Sequence, residues 1–497
     1  MRSTLCLVLL GALASGCGDD RGADGGVDAG ASGSDGGASD AGGLDAGAVD
    51  AGDGSSDAGV SDAGSSDAGA SDAGSDAGPP DPATCPIGPA DGCCPLLRYG
   101  GTDPDCASLS CSALEASEAI ELDDLVGGRR SRDWKGGTGL AWTGRELALA
   151  RTDWNEAGDA RDIVFELRAP DGALIGAPVR TAEGGAPSRA GEVALGYVAA
   201  TDRFVYANAR QFTYDAVGIE RDGSIAFTTG TGLSYCNWNS GGWVEMYPTG
   251  DRVLAVGNTY TCAGSTNAPK ATELLADGSV GMAREYGFGD RSRNCWGASA
   301  TCDLDCATPR FAYHCSYENQ LQLRAFDPTS FVPSPPEVLA SGFFAHPRGT
   351  AVASDGDRLF VVHTPASLAG RIGELHARTY RPGVGWEGTE YRSSVTEEMM
   401  RLIWTGDGYL LAATTWVPAG DSSTPLSRQE RFSVRMWHFD RDGGLRESFE
   451  LDPGMPGLHP YLAWAGDRIA VSWVRPVDLT RWASDEPRRF LRYLGCP

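Results

Sequence analysis

A short turn signature returns at near-regular intervals through most of this 497-residue chain, and that recurrence limits its possible folds more than any other feature. The copies are Trp142-Thr143-Gly144 ahead of Leu147, Ala200-Thr201-Asp202 ahead of Phe204, Thr249-Gly250-Asp251 ahead of Val253, Asp355-Gly356-Asp357 ahead of Leu359, Trp404-Thr405-Gly406 ahead of Tyr409 and Trp464-Ala465-Gly466 ahead of Ile469. A degraded copy, Thr308-Pro309 ahead of Phe311, fills the one large gap. Each reads as the end of an apolar strand, a tight turn and a restart. The restart residues lie 57, 49, 58, 48, 50 and 60 positions apart. A second punctuation falls out of phase with the first: Asp171-Gly172, Asp222-Gly223, Asp277-Gly278, Asp327-Pro328, Pro382-Gly383 and Asp442-Gly443. Two hairpins in each repeat make four strands. A four-stranded unit cannot bury both faces alone, whereas such units arranged about an axis bury each other's. The expectation is an all-β fold, a seven-bladed β-propeller over residues 113–497. Six or eight blades, or two β-sandwiches, are the alternatives, and phased repeats fit the sandwiches badly.

The last repeat supplies only three apolar runs, residues 462–464, 469–474 and 490–494. Residues 119–125, alternating acidic and apolar, are expected to provide the missing strand and lock the ring; only residues 113–118 have a helix-like composition. With strands ordered from the axis outward, the tight hairpins lie at one end of the ring. Loops over residues 152–161, 258–270, 416–430 and 475–488, and links over 230–243 and 287–306, then lie at the other end, where binding tends to reside on a rigid scaffold. Trp238, Tyr260, Trp296 and Trp416 are the candidates for a ligand face there, because aromatic rings stack on sugars and grip peptides. The competing role is to cap the blades and cover disulfides. Trp142, Trp404 and Trp464 recur at one repeat position and read as packing residues.

Cysteine usage points to an oxidising compartment. Of the 14 Cys, Cys6 and Cys17 lie at the N-terminus, and the other twelve form an even set that can pair completely. Cys85, Cys93, Cys94, Cys106 and Cys111 read as a small module at residues 85–112 that needs disulfides because it has almost no core. Cys236, Cys262, Cys295, Cys302, Cys306 and Cys315 are expected at the loop end around the third and fourth blades, and Cys496 is expected to pin the C-terminus. Four thiolates at 295, 302, 306 and 315 also have a zinc-compatible spacing, but export favours disulfides.

The N-terminus explains the export. Met1-Arg2 followed by an apolar run to Leu13 has the form of a signal peptide, residues 1–16, too short to span a bilayer. Leu13-Ala14-Ser15-Gly16-Cys17 resembles the lipobox of bacterial lipoproteins, which implies acylation at Cys17; Ala12-Leu13-Ala14 also fits ordinary signal-peptidase cleavage after Ala14. Residues 17–84 then reduce almost wholly to Asp, Ala, Gly and Ser, with Asp-Ala-Gly nine times between Asp28 and Gly78 and no aromatic residue. Such a stretch cannot bury enough apolar surface to offset its ordering entropy and is expected to be a disordered tether, with a reach of roughly 40 to 50 Å. Its 15 Asp against Arg21 carry more than half of the net charge of −26. The Asp-Ala-Gly linker, with Asp91-Gly92-Cys93-Cys94-Pro95 beyond it, resembles myxobacterial surface lipoproteins, and the Trp-x-Gly turns resemble secreted bacterial propeller repeats. The resemblance implies an address in the cell envelope, at the outer membrane, periplasmic or surface-exposed, and no particular chemistry.

Several function classes are disfavoured. The six His, at 314, 346, 363, 376, 438 and 459, form no H-x-H or H-E-x-x-H pattern, and no nucleophile elbow or phosphate loop occurs. The sialidase-type Ser-x-Asp-x-Gly-x-x-Trp box is absent as well. A chain this acidic is a poor partner for nucleic acid. The expectation is a monomeric binding protein without cofactor or metal, tethered to the membrane by lipid and presenting its loop end to a glycan, a peptide or an envelope protein. The alternative is an exported carbohydrate-active enzyme, a hydrolase or lyase, on the same face. A carboxylate paired with His or Arg in a deep central funnel favours catalysis; a shallow aromatic face favours binding.

Overall fold

The computed structural model describes residues 108–122 and residues 137–497, apart from segments 155–160, 183–192, 211–212, 235–243, 249–251, 262–265, 286–294, 302–307, 316–318, 328–329, 342–343, 367–373, 394–395, 418–430 and 476–487 and residues 276 and 331. The signal segment, Cys17, the Asp-Ala-Gly stretch and Cys85, Cys93, Cys94 and Cys106 lie outside it. The described residues form seven antiparallel sheets in sequence order and contain no α-helix. Blades 1 to 6 cover residues 139–182, 194–234, 244–285, 295–341, 344–393 and 396–450, each a four-stranded meander. The first strand of every blade packs against the first strands of both neighbours, the seventh against the first included. That arrangement is a closed seven-bladed β-propeller.

Blade 7 is composite. Leu458–Ala465, Arg468–Arg475 and Arg488–Gly495 supply three strands, and the outer edge is filled from the N-terminal side: Glu115 and Ala116 pair with Gly495 and Leu494, then Ile120 and Glu121 with Leu491 and Phe490. The closing strand therefore starts earlier than the sequence pattern suggested and takes over residues that looked helical. Its partner decides this, because an unpaired edge in the last blade leaves a row of backbone donors and acceptors unsatisfied. Cys111 is bonded to Cys496 across 385 residues of sequence, so it belongs to this closure rather than to the small Cys-rich module. Leu109, fully buried, sits in the apolar layer of blades 6 and 7 and donates its N–H to Thr405 O at 2.8 Å. The backbone oxygen of Leu122 accepts from buried Arg151 of blade 1 at 2.9 Å. Residues 108–122 thus bind three blades together.

Alternation along each second strand creates the layers between blades. In Leu359–Ala366, Leu359 and Val361 pack with Leu321, Leu323 and Leu339 of blade 4, while Phe360 and Val362 pack with Tyr409 and Leu411 of blade 6. Burying one such side chain contributes about 1.5 to 3 kcal/mol. Trp404 and Trp464 are buried in these layers and Trp142 is half-buried against them, which fits their repeat position.

The Asp-Gly turns do more than reverse the chain. Asp222 accepts from the Ser224 hydroxyl at 2.6 Å and from its N–H at 2.9 Å, an Asx turn whose hydrogen bonds hold the carboxyl below the usual pKa. Gly223 has φ +84°, and a Cβ there would lie 2.5 Å from the Cβ of Val179 on the outer strand of blade 1. Each such glycine lets a turn lie against the preceding blade.

Candidate functional site

Chain connectivity places the backbones of Tyr260, Trp296 and Trp416 at one end of the ring. Every second strand runs from the tight turns toward the other end. Tyr260 and Trp416 fall near the finish of Arg252–Thr261 and Gly408–Val417, and Trp296 near the start of Cys295–Thr301, which runs the opposite way. Trp238 belongs to the link between blades 2 and 3; it lies outside the described residues, as do the side chains of the other three. The connections 418–430 and 476–487 and the links 235–243 and 286–294 leave from this same end.

The cysteines divide differently from the sequence expectation. Cys295 begins its strand at the loop end, and Cys315, disulfide-bonded, lies directly across the ladder from it. Cys302 and Cys306, however, belong to the segment joining Cys295–Thr301 to Arg310–Cys315, which is the first hairpin of blade 4 and opens at the tight-turn end. The pattern misled because an insertion in that hairpin has the look of a blade-to-blade link. Cys236, Cys262, Cys302 and Cys306 themselves lie outside the described residues.

The ionisable cluster with the most distinctive chemistry among the described residues lies on the flank of the ring, between blades 4 and 5. Cross-strand register assembles it. Thr350, His363, His376 and Arg392 occupy one rung of blade 5, each paired with the next. This rung continues the face of Leu359 and Val361 and so looks toward blade 4. A cleft of about 180 Å³ opens beside it, walled by Leu339 and Ala340 of blade 4 and by His363, His376, Arg378, Trp386, Glu390 and Arg392.

The partners fix the charge states. Glu390 Oε1 is 2.7 Å from His376 Nδ1, and its Oε2 accepts from Arg392 Nε and Nη2 at 2.8 and 2.7 Å. Partial burial pushes the Glu390 carboxyl up, but these hydrogen bonds and charges outweigh it and hold the group below the ordinary range. His363 is 6% exposed. Burial above all, then the neighbouring His376 and His314, lowers its pKa to about 3, so it is a neutral imidazole at the back of the cleft. Trp386 Nε1 donates to Leu339 O at 2.9 Å, tying the outer strands of the two blades. Arg378 gives its Nε to the carbonyl oxygens of Glu387 and Gly388, both at 3.2 Å, and no carboxylate among the described residues pairs with it. Sequence spacing hides this cluster, since His363 and His376 stand thirteen positions apart on opposite arms of a hairpin. A signal was available in principle, because both belong to the same face of neighbouring strands.

A second charged cluster seals the ring. Arg489 of blade 7, fully buried, donates to Asp153 Oδ1 at 2.5 Å and to Thr152 O at 3.0 Å, while Arg151 lies 3.4 Å from Glu166. Burial raises the Asp153 carboxyl, but Arg489, Arg151 and Arg180 together hold it below the usual value. The charges of these groups are paired with one another across the seam between the last blade and the first.

No family model matches this sequence, and no curated protein does. Among solved structures, the chain is similar to the Dos1 propeller at 6% identity, covering 76% of this chain and 95% of that one with a TM-score of 0.42. It is also similar to the β-propeller domain of the trilobed protease from Pyrococcus furiosus, at 8% identity, with 68% and 90% covered and a TM-score of 0.39. A neuraminidase-like protein from a bat isolate matches at 10% identity, with 78% and 96% covered and a TM-score of 0.38. Likeness of this degree carries no argument about activity or ligand.

Proposed function

We propose that this chain is an extracytoplasmic binding protein, held to the membrane through a lipid on Cys17 and presenting the loop end of its propeller to a glycan or to a peptide of an envelope partner. The observation that supports it is topological: the strand positions of Tyr260, Trp296 and Trp416 fall at one end of the ring, on three different blades. The carboxylate paired with His and Arg, the arrangement that favours catalysis, lies on the flank between two blades and not in a central funnel. That placement weighs against the carbohydrate-active enzyme. Carriage of function by loops on a scaffold also agrees with how such rings are used.

A glycan array with the purified chain tests the reading, followed by turnover assays on any hit. Binding is expected to fall at least tenfold in the Trp238→Ala, Tyr260→Ala, Trp296→Ala triple variant, at unchanged melting temperature. Undiminished binding in that variant removes the aromatic face. Anchoring has a separate readout, since Cys17→Ser is expected to abolish incorporation of labelled acyl chains and to release the chain from membranes.

A further inference from the structure

We propose that the cleft between blades 4 and 5 is a second binding site, independent of the loop end, for a small hydroxycarboxylic acid. The argument begins with charge. Glu390 is saturated by His376 and Arg392, so its negative charge is already matched. Arg378 lines the same cleft with its Nε committed to backbone oxygens and its Nη edge opposed by no carboxylate among the described residues. Its guanidinium lies over the Trp386 ring, 5.9 Å from the centroid, so its charge meets an aromatic face and backbone oxygens but no carboxylate among the described residues. A planar carboxylate fits such an edge in two parallel N–H···O bonds, which a spherical anion or a neutral sugar cannot reproduce.

His376 supplies the second element of selectivity. Its Nδ1 is held by the Glu390 carboxylate, which leaves Nε2 as the other polar atom of the ring. A ligand hydroxyl, donor and acceptor both, pairs with that nitrogen. Leu339 and Ala340 on one wall and the Trp386 ring on the other suit the carbon skeleton, and Trp386 is held in place by its bond to Leu339 O. Size sets the upper limit. A cavity of 180 Å³ admits a ligand of about one sugar ring and lies below the range of pockets for drug-sized ligands.

The test is a titration of the full chain at pH 7.5 with glucuronate, glucose and chloride, followed by calorimetry and by the indole N–H resonance of Trp386. Glucuronate is expected to bind and to shift that resonance, and neither glucose nor chloride is expected to do so at the same concentration. Arg378→Gln is expected to weaken glucuronate binding at least tenfold with no change in melting temperature, since Arg378 is half-buried and pairs with no carboxylate among the described residues. The Trp238→Ala, Tyr260→Ala, Trp296→Ala variant is expected to bind glucuronate as before, which separates this site from the loop end. Equal binding of glucose or chloride, binding untouched by Arg378→Gln, or no binding of glucuronate overturns the proposal.

Discussion

His363 shows how a single buried side chain makes the ring sensitive to acid. Its pKa falls from 6.5 in the unfolded chain to about 3 in the folded one. Between those values the unfolded state takes up a proton that the folded state refuses, so stability is fully present above pH 6.5 and is lost as pH falls toward 3. His438, lowered to about 4, adds in the same direction. Melting temperature is therefore expected to drop steeply from pH 6.5 to 4, and His363→Gln is expected to flatten that slope; an unchanged slope refutes the assignment. Gly223 is constrained differently. Its left-handed backbone and the 2.5 Å approach to Val179 Cβ leave no room for a methyl group. Gly223→Ala is expected to cost about 2 kcal/mol in urea unfolding, with little change at Gly176, where a Cβ meets open space, beyond the φ penalty. The turn glycines were legible from the sequence because the constraint is local. His363 was not, because its meaning depends on a partner strand and on the blade across the cleft.

At the level of elements, the repeats predicted the architecture because each hairpin announces itself within a few residues. The composite seventh blade was legible too, through the shortfall of one strand after Tyr461, although its closing segment proved to be two short strands at Glu115–Ala116 and Ile120–Glu121. The hairpin of blade 4 was misjudged, since nothing local distinguishes an insertion within a blade from a link between blades. The clasp that results has a measurable strength. Its disulfide closes nearly the whole ring, and cross-linking so long a loop removes unfolded-state entropy worth about 6 kcal/mol in the chain-entropy account. Cys111→Ser with Cys496→Ser is expected to lower the melting temperature by several degrees while leaving the far-ultraviolet circular dichroism all-β. A variant as stable as the parent shows that the paired strands suffice alone.

For the whole molecule, seven sheets contribute similar layers of aliphatic and aromatic side chains, but two junctions depart from that rule. Blades 4 and 5 meet partly through His314, His363 and His376, and blades 7 and 1 through the Arg489, Asp153, Arg151 and Glu166 network. A buried ion pair broken on one side costs about 3 to 5 kcal/mol, so Arg489→Met is expected to destabilise by that much in urea unfolding at every pH above the Asp153 titration. The closure has a mechanical side as well. Ser108 and Leu109 are where anything upstream enters the ring, and Cys111 follows at once, joined to the residue next to the C-terminus. Tension from that direction is carried through the sulfur bridge into the final strand before it reaches the hydrogen bonds at Glu115 and Ile120. The ring is thus loaded at a rivet, and the zipper behind it bears almost no force.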